Sequence, residues 1–175
     1  ILKEMFEDDR ATLVAKLGEN INIRRISFIE GESLSSYVHG HGKIGVIVSS
    51  SDARTELLKK IAMHIAAMHP EYLTHQDIPN EVIKREYKIQ FDIAMSSGKP
   101  AKISEKIVEG RMKKFGNEIC LVGQLLVMDP KKTVGQILKE NNTSITDFVR
   151  FQVGDGLEKV NKDFASEVKE VSKSF

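Results

Sequence analysis

The stretch Leu34–Val48, LSSYVHGHGKIGVIV, decides the fold class of this chain. Tyr37-Val38-His39 and Ile44-Gly45-Val46-Ile47-Val48 flank Gly40-His41-Gly42. Two glycines in a short loop tolerate the positive φ that tight hairpins require, so the stretch is predicted to form a β-hairpin. Val46, Ile47 and Val48 run without a polar break, which predicts a central strand covered on both faces. Toward the C-terminus, Ser49-Ser50-Ser51-Asp52 offers N-cap candidates for a helix with Leu57, Leu58, Ile61, Ile65 and Met68 on one stripe. Pro70 ends that helix. Toward the N-terminus, Leu2, Phe6, Leu13 and Leu17 recur at roughly helical intervals, and Gly18 follows as a C-cap. Ile21–Ile29 (INIRRISFI) alternates, slips phase at Arg24-Arg25 and resumes at Ile26 and Phe28, the pattern of a bulged strand.

The middle of the chain changes character. Pro79-Asn80-Glu81 starts a helix with Ile83, Tyr87, Phe91, Ala94 and Met95 on one side. Ser96–Pro100 (SSGKP) breaks it, and a second helix carries Ile103, Ile107, Met112 and Phe115. Two amphipathic helices with a Gly/Pro turn predict an antiparallel helical hairpin, a coiled-coil arm over about 78–118. From Lys84 to Lys114 nine Lys/Arg stand against four Asp/Glu, so the arm is locally basic at +5. Ile119–Met128 (ICLVGQLLVM) then reads as an apolar extended stretch interrupted by Gly123. Thr133 caps a helix through Ile137 and Leu138, and Val149, Phe151 and Val153 alternate with Phe148, Arg150 and Gln152 as a two-faced strand. Gly154-Asp155-Gly156 turns into a last helix with Leu157, Val160, Phe164, Val168 and Val171. The whole predicts an α+β fold: a small antiparallel sheet packed with helices, an inserted helical hairpin and a C-terminal helix.

Composition narrows the function. The 175 residues, 41% of them hydrophobic, suit one compact domain or a little more. Twenty-six basic against 25 acidic side chains leave a net charge of +1, which argues against a strong nucleic-acid footprint. No apolar run approaches the roughly 18 residues that a membrane span needs. The opening ILKEMFEDDR lacks the pattern of a signal peptide. A single Cys120 forms no internal disulfide, which points to a reducing cytosol. The chain starts at Ile1 inside a helical pattern, so it reads as a piece of something longer.

Chemistry is sparse. His39 and His41 straddle the hairpin turn, and His64 and His69 are five apart, a poor spacing for one metal on a helix. His64 borders the apolar stripe and His75 reads as a loop residue. Gly40-His41-Gly42-Lys43 is too short for a P-loop and leads into a strand instead of a helix. Cys120, in an apolar run, reads as a buried inert thiol. Glu81, Glu86 and Glu109 read as solvated arm surface. No catalytic residue, metal or cofactor is expected; a hydrolase built on His39 and His41 lacks a nucleophile and a carboxylate beside them. Residue chemistry alone stops at an interaction domain, with a coiled-coil adaptor for RNA or protein as one candidate.

Longer strings carry a resemblance. KLGENINIRR (Lys16–Arg25), Tyr37-Val38-His39-Gly40 with Lys43-Ile44-Gly45-Val46, and Ile61-Ala62-Met63-His64-Ile65-Ala66-Ala67 are similar to the bacterial elongation factor Ts family. So are Asp92-Ile93-Ala94-Met95 through Gly98-Lys99-Pro100, Glu109-Gly110-Arg111-Met112-Lys113-Lys114-Phe115, and Lys132-Thr133-Val134-Gly135-Gln136. The resemblance runs in order over essentially the whole chain. It implies a cytoplasmic guanine-nucleotide exchange factor, not an enzyme. Such a factor binds elongation factor Tu in its GDP-bound and nucleotide-free forms, and pairing of two copies through their cores is known in the family. It also implies a division into the end of an N-terminal core subdomain (1–32), a C-terminal core subdomain (33–77 and 119–156), the arm (78–118) and a C-terminal helix module (157–175).

Partner contacts transfer with the matching strings. Leu17 and Gly18 correspond to a contacting hydrophobic-Gly pair, His39 to a partner-facing histidine, and Val127-Met128 to a pair that meets the partner's C-terminal domain. On residue type alone Leu17, Val127 and Met128 would be core. Gly42 is an extra turn residue, and Leu125-Leu126 replaces a more usual Pro-Phe. The family also carries a Thr-Asp-Phe motif, whose Phe wedges near the partner's Mg²⁺ site, in a preceding segment. Thr146-Asp147-Phe148 copies its letters at a different place in the chain and is expected to be coincidental. Without the wedge, these residues alone are expected to bind more weakly and to exchange GDP poorly.

Overall fold

The computed structural model describes residues 3–52, 55–96, 98 and 100–157. A short 3₁₀ turn, Glu4–Phe6, leads into α1 (Glu7–Leu17). Gly18 closes α1 at φ 70, its N–H donating to the Val14 carbonyl, the left-handed cap that glycine adopts without penalty. Residues 19–32 follow with no helix or strand. The bulged strand expected at Ile21–Ile29 is therefore absent. Its alternation survives as burial, since Ile21, Ile23, Ile26 and Ile29 are half-buried while Asn22, Arg24 and Arg25 are exposed. The segment meets the sheet on a face, where side chains find contacts but backbone groups find no ladder. Arg25 lies 4.8 Å above the Phe151 ring and pairs with Asp155 at 3.2 Å, and Gly31 abuts Ser49 so closely that a Cβ would stand 2.8 Å away.

The predicted hairpin forms from β1 (Ser33–His39) and β2 (Ile44–Ser50), with Gly40, His41 and Gly42 all at positive φ. β5 (Ile145–Gln152) completes an antiparallel sheet in the order β1-β2-β5. β2 is central as expected, but its two faces are unequally covered: Val46 and Val48 are buried on one, while on the other, where residues 19–32 lie, Ser49 is buried and Ile47 is 40% exposed. Of the cap candidates Ser49–Asp52, the first two are strand residues. Ser49 and Ser50 belong to β2, where their hydroxyls bond Thr146 and Thr143 at 2.7 and 3.1 Å beside a register shift in the β2–β5 pairing.

α2 (Thr55–Met68) covers the buried face through Leu58, Ile61, Ala62 and Ile65. His69 at φ 49 ends it, just before Pro70. The arm is α3 (Asn80–Ser96) and α4 (Ala101–Ile119), which pack chiefly on each other. Their seam is narrower than the predicted stripes: Ala94, Ser104 and Val108 are buried, whereas Tyr87, Met95 and Ile103 are half-exposed. Small residues let the two backbones approach and push the long apolar side chains to the rim.

After α4 the expected extended stretch is broken up. A 3₁₀ turn (Leu121–Gly123) precedes β3 (Leu125–Leu126), which pairs with β4 (Asp129–Thr133). α5 (Val134–Glu140) starts with a full capping box, the Thr133 hydroxyl accepting from the Gln136 amide at 3.2 Å and the Gln136 carboxamide accepting from the Thr133 amide at 2.8 Å. The final helix expected over 157–175 lies, beyond Leu157 itself, outside the described residues. No helix among the described residues is long and apolar enough to cross a membrane.

Candidate functional site: a groove at the open end of the sheet

Across the strands, Tyr37, Val46 and Arg150 form one row, and His39, Ile44 and Gln152 form the next. Directly opposed residues share a face. Beside the C-terminal half of α2 these rows border a groove of about 460 Å³. Tyr37, His39, Ile44 and Arg150 wall it from the sheet, Met63, Ala66 and Ala67 from α2, and Met128 from the β3–β4 turn. His39 and Met128, remote in sequence, thus border one concavity.

The polar groups of the groove are held in place. The Tyr37 hydroxyl and His39 Nδ1 share a hydrogen bond of 3.0 Å, which fixes the imidazole against its own strand. Arg150 donates from Nε and Nη2 to the Ala66 carbonyl at 3.4 and 3.3 Å, near the negative end of the α2 dipole. Its Nη2 also donates to Gln152 Oε1 at 2.9 Å, while its Nη1 is buried with no hydrogen-bond partner.

The expected contact residues divide. Val127 and Met128 are 50% and 51% exposed, so the reading of them as core is overturned. Met128 stands between the groove and a wider cleft of about 730 Å³ between α2 and α5, lined by Lys60, Asp129, Lys132 and Glu140. Leu17 is 57% exposed, which likewise overturns a core role, but it and Gly18 lie at the end of α1 and do not line the groove. Phe148, of the Thr-Asp-Phe string, packs against the core and has no freedom to project.

Sequence reasoning passed over His64. It is 1% exposed, with Nε2 3.0 Å from Gln124 Oε1 and Nδ1 3.3 Å from the Val127 amide. Burial holds its pKa below the ordinary histidine value, partly opposed by the Gln124 contact. The one legible signal was a polar residue beside an otherwise apolar stripe. Cys120 is buried, and burial, with the Asp77 carboxylate adding, pushes its thiol up to about 11. A thiol so poorly ionised is a packing residue. His39 and His41 have no carboxylate or thiol cluster with them: among the described residues no three His, Cys, Asp or Glu converge as metal ligands. The arrangement offers apolar contact area edged by a few oriented polar groups, the composition of a protein-docking surface.

Residues 2–155 match the family described as Elongation factor TS. An elongation factor Ts from Photorhabdus laumondii subsp. laumondii is 58% identical over 172 residues, 98% of this chain and 60% of the relative. Elongation factors Ts from Yersinia pestis (strain Pestoides F) and Yersinia pseudotuberculosis serotype O:3 are 58% identical over 173 residues, 99% of this chain and 60% of theirs. The chain thus spans about 60% of the length of the curated relatives it matches.

Proposed function

The chain belongs to the elongation factor Ts family, and from that premise we propose that it docks on elongation factor Tu and promotes release of bound GDP. The observation that carries the reading is the convergence of His39 and Met128 on one groove at the open end of the sheet. No bond in the nucleotide is made or broken. A factor that binds the nucleotide-free partner more tightly than the GDP-bound partner weakens GDP binding by the same ratio, as linkage requires. The groove contributes affinity through apolar burial against Ile44, Met63 and Met128, and His39 contributes direction through its fixed ring.

The test is the rate at which fluorescent GDP leaves elongation factor Tu as the 175-residue chain is added. Concentration-dependent acceleration, smaller than that given by a full-length relative, is the expected result. Absence of both binding and acceleration, with RNA binding that falls steeply with salt, would establish the adaptor reading in its place.

A further inference from the structure

We propose that His64 is the positioning residue of the Val127–Met128 turn, a buried imidazole that holds this exposed element in shape for docking. The inference rests on the reading of Val127 and Met128 as partner contacts. An amide N–H can only donate, so its bond from Val127 to His64 Nδ1 leaves Nδ1 unprotonated and puts the ring proton on Nε2. Nε2–H then donates to Gln124 Oε1 at 3.0 Å. Gln124 Nε2 donates in turn to the Glu118 carbonyl at 2.5 Å, in the last turn of α4. His64 and Gln124 are 1% and 5% exposed, so water does not compete for these bonds. The relay joins the docking turn to the base of the arm.

The turn needs an anchor from outside. Leu126 pairs with Asp129, which leaves Val127 and Met128 as a two-residue connection. Such connections favour backbone shapes with at least one positive φ, commonly on Gly or Asn, because only these match the strand twist. Neither Val127 nor Met128 has a positive φ. β3 is two residues long, and its register shifts between Leu125 and Leu126. Local ladder bonds therefore select the turn weakly, and the His64 acceptor supplies the constraint they lack.

Two carboxamide substitutions, each mimicking one ring nitrogen, separate positioning from bulk stability. His64→Asn keeps an acceptor near the place of Nδ1. His64→Gln puts its carboxamide near Nε2 and leaves the Val127 amide without an acceptor. The readouts are hydrogen exchange of the Val127 amide by NMR and affinity for elongation factor Tu–GDP, with Met128→Ala as reference. Val127 exchange is expected to quicken about fivefold or more in His64→Gln and to change by less than about twofold in His64→Asn. Affinity is expected to fall in the same order. Equal Val127 exchange in parent, His64→Asn and His64→Gln overturns the proposal, as does an affinity loss in Met128→Ala with none in His64→Gln. A Val127 amide that responds while both His64→Gln and Met128→Ala bind normally supports the positioning and overturns the docking role of the turn. If His64→Gln does not fold, His64→Leu, which also lacks an acceptor for the Val127 amide, replaces it, and unchanged Val127 exchange there overturns the proposal equally.

Discussion

Gly123 stands against the backbone of Asn117: a Cβ added to it would lie 2.7 Å from Asn117 Cα and 2.9 Å from its carbonyl oxygen. Asn117 belongs to the last turn of α4 and Gly123 ends the 3₁₀ turn that follows, so this contact folds the chain back sharply where the arm joins the body. Backbone cannot step aside as a side chain can. Gly123→Ala is expected to cost about 1–3 kcal/mol of stability, the usual range for overpacking. A thermal melt beside the parent protein checks it, and an unchanged midpoint would show that the arm base has slack.

Thr133 carries the start of α5. Its hydroxyl accepts from the Gln136 amide, and the adjacent Val134 is fully buried, so the cap and the core are set by neighbouring residues. Thr133→Ala is expected to destabilise by about 1 kcal/mol through the lost cap, and Thr133→Ser by less. Urea denaturation of the two variants would separate the cap from the lost methyl group.

His64 makes stability depend on pH in a definite direction. Its folded pKa is depressed, chiefly by burial. Above about pH 6.5 it is neutral in both folded and unfolded chains and contributes its full stability. As pH falls below that value the unfolded chain takes up the proton first, and stability is lost as pH falls through the folded pKa. In His64→Asn this loss is expected to disappear while the decline from other groups remains. Denaturation midpoints from about pH 8 to about pH 5 test it; parallel curves for parent and variant would count against the account.

Cys120 is expected to be silent in the folded protein. With its thiol pushed up to about 11 and its side chain buried, thiolate is scarce at neutral pH and unreachable by reagent. A disulfide reagent should react at the rate of global unfolding and accelerate in denaturant. Rapid stoichiometric reaction of native protein would contradict the packing described.

His39→Ala and Met128→Ala are expected to weaken binding to elongation factor Tu, each by about tenfold if they act as central contacts. Both side chains are exposed, so folding stability is expected to change by about 0.5 kcal/mol or less. Losses of several kcal/mol would mark them as core residues after all. Calorimetric titration and thermal melts on the same samples give both numbers.

Elements written by local rules were readable in advance. The β1–β2 hairpin follows from strand pattern and glycine placement, the α1 end from Gly18, the α5 start from Thr133 and Gln136, and the arm from two amphipathic repeats about a Gly/Pro turn. The site was legible only where strings matched a family: His39 and Met128 were named, but nothing in their spacing said that they share a wall. His64 reads from the sequence only as a boundary residue, because its partners, Gln124 and the Val127 amide, are distant in sequence.

By itself, the sequence determined periodicity, caps and turns, because those energies are settled among residues a few positions apart. Tertiary structure decided which surface each segment met. INIRRISFI carries a strand's alternation but lies on a sheet face, so it gains burial without a ladder. Val127 and Met128 have the composition of core yet stand exposed, because they form the turn that connects β3 to β4. Side-chain polarity is a property of one residue. Pairing and burial depend on what the rest of the chain brings alongside it.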